Sequence, residues 1–248
     1  MKKLAFLSVL FIFLIQGFAQ NDKKEAVLDS EEFLEECRKQ LLSNCWIKLD
    51  GKLMHRDPDG KRSRPVKLKC SAQLVPNKNT FKATLGGKDS YKAEHIFGQK
   101  HDTKELENTL KVGNGFDKVG IKPADLSLAF MYWDYIKEYD RDRLGVLDAY
   151  KCRVFLLANP DGKNFVKVWM SEKHKGPLQV HWLKGIKKAD QENPQQVLEF
   201  KDFAEKNNVW VPLESKITNS KGELQIRFTE VDAAFSSKVP ADLYKTED

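Results

Sequence analysis

Polar and apolar residues alternate along much of this chain. Between residues 223 and 231, Leu224, Ile226 and Phe228 alternate with Glu223, Gln225, Arg227 and Thr229, the period of a strand with one wet and one dry face. A β-rich run over 209–218 precedes it across Asn219-Ser220-Lys221-Gly222. Asp57-Pro58-Asp59-Gly60 and Asn159-Pro160-Asp161-Gly162 repeat that arrangement: Asn or Asp first, Gly last, as a type I turn closing on a left-handed glycine requires. They predict hairpins from strands at 45–56 and 61–75, and from strands at 150–158 and 165–170. Further strands are expected at 178–183, where Leu178, Val180 and Trp182 share a face, and at 197–204.

Two stretches leave the twofold period. Ser30 is placed to cap a helix over 31–42, with Glu31, Glu32, Glu35 and Glu36 toward its N-terminus and Arg38 and Lys39 toward its end. Phe33, Leu34, Cys37, Leu41 and Leu42 fall on one side of it. Lys122-Pro123 opens a second helix through Tyr135, in which Leu126, Ala129, Phe130 and Trp133 form a stripe flanked by Leu128, Met131, Tyr132 and Tyr135. A helix apolar around most of its circumference must be covered on most of it, and a sheet curling round it would do so. The segment 89–118 reads as loops with a short helix near 104–110, and the chain after Val239 as a loose tail. The fold class expected is mainly β with a few helices: one antiparallel curved sheet, or an unclosed β-barrel, wrapped around α-helices.

The first twenty residues read differently. Lys2 and Lys3 precede an apolar stretch from Leu4 to Ile15, and Gly17 and Ala19 are the small residues of a signal-peptidase site. We expect cleavage after Ala19, leaving one domain over 20–248 in an exported chain. The formal charge of +6, from 42 basic and 36 acidic residues, then falls to +4 as Lys2 and Lys3 leave. That is too little to predict a nucleic-acid partner.

Export changes the reading of Cys37, Cys45, Cys70 and Cys152, because the compartment is oxidising. Cys45 and Cys70 lie almost equally far from the first hairpin turn, as directly opposed residues would, which favours Cys45–Cys70 with Cys37–Cys152. Cys37–Cys45 with Cys70–Cys152 remains open.

Catalytic signatures are missing from the sequence. There is no G-x-S-x-G, no P-loop, no complete G-x-G-x-x-G, no C-x-x-C and no H-E-x-x-H, so no enzyme, cofactor or metal is expected. His95 and His101 with Glu94 and Asp102 are the nearest approach to a metal set, on a segment that reads as loop. His181, between Val180 and Trp182, reads as solvent-facing. The carboxylates Asp134, Glu138, Asp140, Asp142 and Asp148, mixed with Lys137, Arg141 and Arg143, read as a solvated face or turn. Lys61-Arg62-Ser63-Arg64 sits at a hairpin tip. An exposed loop is its ordinary reading, and docking on an anionic surface the sharper one.

What the chain has in excess is large apolar side chains. Trp46, Leu126, Phe130, Trp133, Phe155, Trp169, Trp182 and Trp210 fall on expected strands or on the second helix. They can fill a core, or line a cavity that a bent sheet leaves around its helices.

The runs ADLSLAFMYWDY, DAYKCRVFLLANPDGKNFVKVWMSEKHKGPLQVHW and NNVWVPLESKITN, in that order, resemble the second half of the LolA-like family of outer-membrane lipoprotein-sorting proteins. The resemblance implies an unclosed barrel whose cavity accepts the acyl chains of lipoproteins, with an inner-membrane release complex and an outer-membrane acceptor as further partners. It also implies no catalytic residue, and a polar residue that latches the helices. The function expected is a periplasmic carrier that buries acyl chains. The alternative is an interaction or sensor protein of the same fold with a packed interior.

Overall fold

The structure is a computed structural model, and it describes residues 13–14, 28–40, 44–76, 78–87, 89–96, 121, 125, 128–144, 150–160, 162–186 and 193–243. The strands are β1 (Phe13–Leu14), β2 (Cys45–Arg56), β3 (Val66–Val75), β4 (Lys78–Leu85), β5 (Asp89–Ile96) and β6 (Asp134–Leu144). They continue as β7 (Tyr150–Ala158), β8 (Asn164–Ser171), β9 (Pro177–Lys184), β10 (Gln196–Lys206), β11 (Val209–Asn219) and β12 (Gly222–Phe235). The one α-helix among the described residues is α1 (Ser30–Gln40). All the strands join one antiparallel sheet in the order β5-β4-β3-β2-β12-β11-β10-β9-β8-β7-β6, with β1 beside β11. The ends β5 and β6 do not meet, so the sheet is an open, curved wall, as expected.

All three turn signals form hairpins. Gly60, Gly162 and Gly222 have φ of 85°, 65° and 111°, values that only glycine adopts without strain. At Gly222 a Cβ would also lie 2.1 Å from the Arg56 carbonyl oxygen, because the third turn abuts the end of β2.

Five expectations need correction. The second helix does not run to Tyr135: Ala129–Tyr132 is a 3-10 turn entered through Leu128 at φ 54°, and β6 begins at Asp134, while the expected start of that helix at 122–124 lies outside the described residues. A register shift at Ile136 separates Tyr135, opposite Leu157, from Lys137 and Tyr139, opposite Leu156 and Val154, and pairing with β7 holds the segment as a strand in spite of it. Residues 134–144 are therefore strand rather than a solvated turn. Residues 89–96 form β5 rather than loop, while the expected helix near 104–110 lies outside the described residues. The tail turns back after Val239: Leu243 is buried, and Lys48 pairs with Asp242.

The fifth correction concerns the cysteines. In the structure all four are free and buried. Nine residues, 57–65, separate β2 from β3, which moves the register by four from the symmetric hairpin assumed. Cys45 faces Leu74, and Cys70 faces Leu49, so the opposition on which the Cys45–Cys70 pairing rested is not there.

The main core lies on one face of the sheet, beneath α1. It holds Phe33, Leu34 and Cys37 of the helix with Ile47, Leu49, Phe155, Val168, Val180, Phe228 and others. Gly51 lets the sheet close tightly there: a Cβ would sit 2.5 Å from the Phe228 ring. Strands β7–β9 are buried on both faces. Cys152, Val154, Trp169 and Leu178 form one cluster on the reverse side, and Leu156, Ala158, Phe165 and Leu183 another.

Candidate functional site: the interior beneath helix α1

Helix α1 is amphipathic on a short scale. Phe33, Leu34 and Cys37 are buried, whereas Glu31, Glu32, Glu35 and Lys39 face water. Its cap differs from the expected one. Asp29 Oδ1 accepts the Glu32 N–H at 2.8 Å, and Ser30, freed from capping, donates its hydroxyl to Glu138 Oε2.

Two arginines tie the helix to the sheet. Arg153, on β7, points inward and is 5% exposed. Its Nε and Nη2 donate to the two carboxylate oxygens of Glu138 on β6, and its Nη1 donates to the Leu28 carbonyl at 2.9 Å. The guanidinium lies 4.6 Å from the Phe33 ring centre and 5.5 Å from that of Phe155. Arg38, on the helix, donates to the Met131 and Trp133 carbonyls, both at 2.8 Å. A third tie runs from Lys175 to Glu36 at 3.8 Å, with the same ammonium over the Phe33 ring.

These contacts set the electrostatics. Burial disfavours an ionised Glu138, but hydrogen bonds from Arg153 and Ser30 outweigh it and hold the carboxyl below its usual range. Burial pushes the thiols the other way, Cys45 to about 12 and Cys152 to about 11, so neither is a ready nucleophile.

Four of the eight apolar candidates meet in this interior. Phe130, Trp133, Phe155 and Trp182 are buried in the main core. Phe33 stacks on Phe155 with centroids 5.7 Å apart, and Trp182 takes Phe130 and Trp133 edge-on at 5.9 and 5.4 Å. The Trp133 Nε1 is buried and has no hydrogen-bond acceptor among the described residues.

The other candidates lie elsewhere. Trp169 belongs to the reverse-side cluster, where its indole donates to Asp142 Oδ2 at 2.8 Å. Trp46 and Trp210 alternate with core neighbours, Cys45 and Ile47 in one case and Val209 and Val211 in the other, so they too face away. Leu126 lies outside the described residues. Trp210 borders a hollow of about 20 Å³ with Tyr150, His174, Leu178 and Phe203, which has room for about one water molecule and none for an acyl chain.

His181 is half-buried against Trp169, with ring centroids 4.5 Å apart, rather than freely solvated. Glu94 pairs with Lys78 and Lys92 at 2.8 Å, while His101 and Asp102 lie outside the described residues. No cluster of metal-ligating side chains occurs among the described residues, and no helix among them is long and apolar enough to cross a membrane.

Sequence reasoning missed Arg153. The available signal was its position: a cation between Cys152 and Val154, directly before the apolar run 154–158, with Glu138 among the carboxylates of the preceding strand.

The open antiparallel sheet with a helix on its apolar face is consistent with a LolA-like fold. The comparisons bear this out at the level of fold. The chain is similar to a LolA superfamily protein from Nitrosomonas europaea, with a TM-score of 0.56, 9% identity, and 88% of this chain and 98% of that one covered. It is similar to a DUF1329-family protein from Desulfovibrio piger, with a TM-score of 0.62, 11% identity, and 86% and 95% covered. It is likewise similar to a domain described as an outer membrane lipoprotein-sorting protein from Vibrio parahaemolyticus, with a TM-score of 0.58, 12% identity, and 86% and 95% covered. In sequence, no family model matches the chain, and neither does any curated protein.

Proposed function

We propose that the chain is a periplasmic carrier for the acyl chains of lipid-modified proteins, exported by a signal peptide over residues 1–19. In this reading α1 is a plug. It occupies the acyl site when the carrier is empty and is displaced when chains enter between Phe130, Trp133, Phe155 and Trp182. The observation that carries the reading is the Trp133 N–H within an aromatic interior, which has no acceptor among the described residues. Buried donors are nearly always satisfied, and the ester or amide carbonyl at the head of an acyl chain is the acceptor that would satisfy this one.

The energies allow the exchange. Uncovering Phe33 and Leu34 costs roughly 1.5–3 kcal/mol each, and breaking the charge-assisted bonds from Arg153 to the Leu28 carbonyl and from Arg38 to the Met131 and Trp133 carbonyls about 1.5–3 kcal/mol each. Burying one chain of about fifteen methylenes from water returns about 12 kcal/mol at 0.8 each. One chain thus roughly matches the plug, and two or three chains overcome it.

The filled interior favours a second reading. If α1 never leaves, the protein is a partner-binding or sensing relative of the same architecture. Titration with fluorescent acyl probes of one, two and three chains decides between them. A carrier binds saturably and more tightly with each added chain, whereas a permanently packed protein binds none.

A further inference from the structure

The charge of the chain is gathered at one end of the sheet. Residues 52–67 hold six cations (Lys52, Arg56, Lys61, Arg62, Arg64, Lys67) and two acids (Asp57, Asp59). Their balance, 6 − 2 = +4, equals that of the whole chain without residues 1–19. The register stacks like charges there. Arg227 on β12, Lys52 on β2 and Lys67 on β3 stand abreast on adjacent strands, an arrangement that costs stability unless an anion compensates it.

The nearby acids other than the exposed Asp59 are committed to other partners. Glu214 pairs with Arg227, Glu223 with Lys216 and Asp50 with Lys69, while the Asp57 carboxylate accepts the Lys61 N–H inside the turn. Lys61, Arg62 and Arg64 are exposed and have no ion-pair partner among the described residues.

This end is a fixed platform. The Ser63 N–H donates to the His55 carbonyl at 2.7 Å, and the Gly60 N–H to that of Asp57 at 2.9 Å. The His55 ring bonds the Lys221 carbonyl of the neighbouring turn at 2.7 Å. It carries no exposed aromatic or large apolar side chain. Protein interfaces rest on such anchors, and single-stranded nucleic acid is held by stacking on aromatic rings. A surface of cations alone suits closely spaced, laterally mobile headgroup phosphates.

We infer that the β2–β3 hairpin end docks the protein on an anionic phospholipid surface. The inference extends the carrier reading, since acyl chains are taken from and returned to membranes, but it is tested separately. The chain, purified as its host exports it, is floated with phosphatidylcholine vesicles made with or without phosphatidylglycerol. Binding is expected only to the anionic vesicles, and it disappears at high salt. Each Lys or Arg near such a surface changes partitioning about fivefold, so combining Lys61→Gln, Arg62→Gln and Arg64→Gln lowers it about a hundredfold. Combining Lys173→Gln, Lys206→Gln and Lys238→Gln removes the same charge from the opposite end of the sheet and should change it less than about fivefold.

Equal binding to neutral vesicles, equal losses in the two triple variants, or no vesicle binding at all overturns the inference. Acyl-probe affinity in solution is read on the same proteins. Docking without acyl binding removes the carrier reading and leaves the docking surface, and acyl binding without docking does the reverse.

Discussion

Replacing Arg153 by Met separates a plug from a core helix. The side chain is 5% exposed and spans from Glu138 to the Leu28 carbonyl just before α1. Met keeps most of the packing against Phe33 and Phe155 while removing the charge and every hydrogen bond. Glu138 remains, with its side chain 18% exposed, and can take water in place of Arg153. The loss that bears on the helix is the charge-assisted bond to the Leu28 carbonyl, about 1.5–3 kcal/mol, because Glu138 stands on the strand beside β7 and stays there whether or not α1 lifts. At about 1.4 kcal/mol per tenfold, the equilibrium for lifting α1 shifts by roughly 10- to 150-fold. Phe33, Leu34 and Arg38 still hold the helix, so it stays closed most of the time.

Amide hydrogen exchange reads this directly. Protection in 30–40 should fall by that factor, while amides of β7–β9 keep theirs, because local opening and global unfolding are distinct events. Acyl affinity should rise by the same factor, since the closed fraction no longer competes as strongly. Two results refute the reasoning. If helix and sheet amides lose protection together, α1 is not a separable unit. If α1 loosens and acyl affinity does not rise, the space beneath it is not where chains go.

Other perturbations test the remaining claims. Phe155→Ala, at a fully buried residue stacked on Phe33, should cost about 3–5 kcal/mol by urea unfolding. Gly222→Ala forces a Cβ against the Arg56 carbonyl oxygen at φ 111° and should cost at least about 1–3 kcal/mol, with the midpoint lowered and the slope unchanged. The four thiols are free and buried, so intact mass without reductant should show no loss of hydrogen, and iodoacetamide should modify them only after unfolding. The folded Glu138 carboxyl titrates below its ordinary value, so its stabilisation is complete above the unfolded glutamate range, roughly pH 4–5. That stabilisation disappears as pH falls through the folded value. Acid titration should therefore expose α1 amides before those of the sheet, and Glu138→Gln should flatten the difference.

Turn chemistry made the hairpins readable, because Gly60, Gly162 and Gly222 mark left-handed positions whatever packs around them. Strand faces were readable only where one face is wet. On β12 the alternation of Leu224, Ile226 and Phe228 with polar residues assigns the inside at once. On β8, Val168, Trp169 and Met170 are all apolar, and all are buried because the sheet is covered on both sides. Alternation then says that Trp169 opposes its neighbours but not which of them faces α1. Trp46 and Trp210 fail for the same reason. The cysteine register was lost to loop length, since a nine-residue connection hides its own asymmetry. Residues 134–144 were misread because two register shifts, after Tyr135 and after Tyr139, break the strand period and leave only the charges to read, although two of those charges, Glu138 and Asp142, are the partners of Arg153 and Trp169.

The two-sided burial of β7–β9 also decides which part can move. Strands packed on both faces lose apolar contacts on whichever side they bend, so that half of the sheet resists deformation. Tyr139 reinforces it from the reverse side, packing against both rear clusters. Arg153 and Phe155, which hold α1, stand on this stiff half, whereas the helix offers only three described buried side chains and a short row of polar ties in return. When guest chains compete for the interior, the cheaper response is to release the helix rather than to spread the sheet. Cross-linking α1 to β7 should therefore abolish acyl binding, whereas cross-linking β7 to β8 should leave it intact.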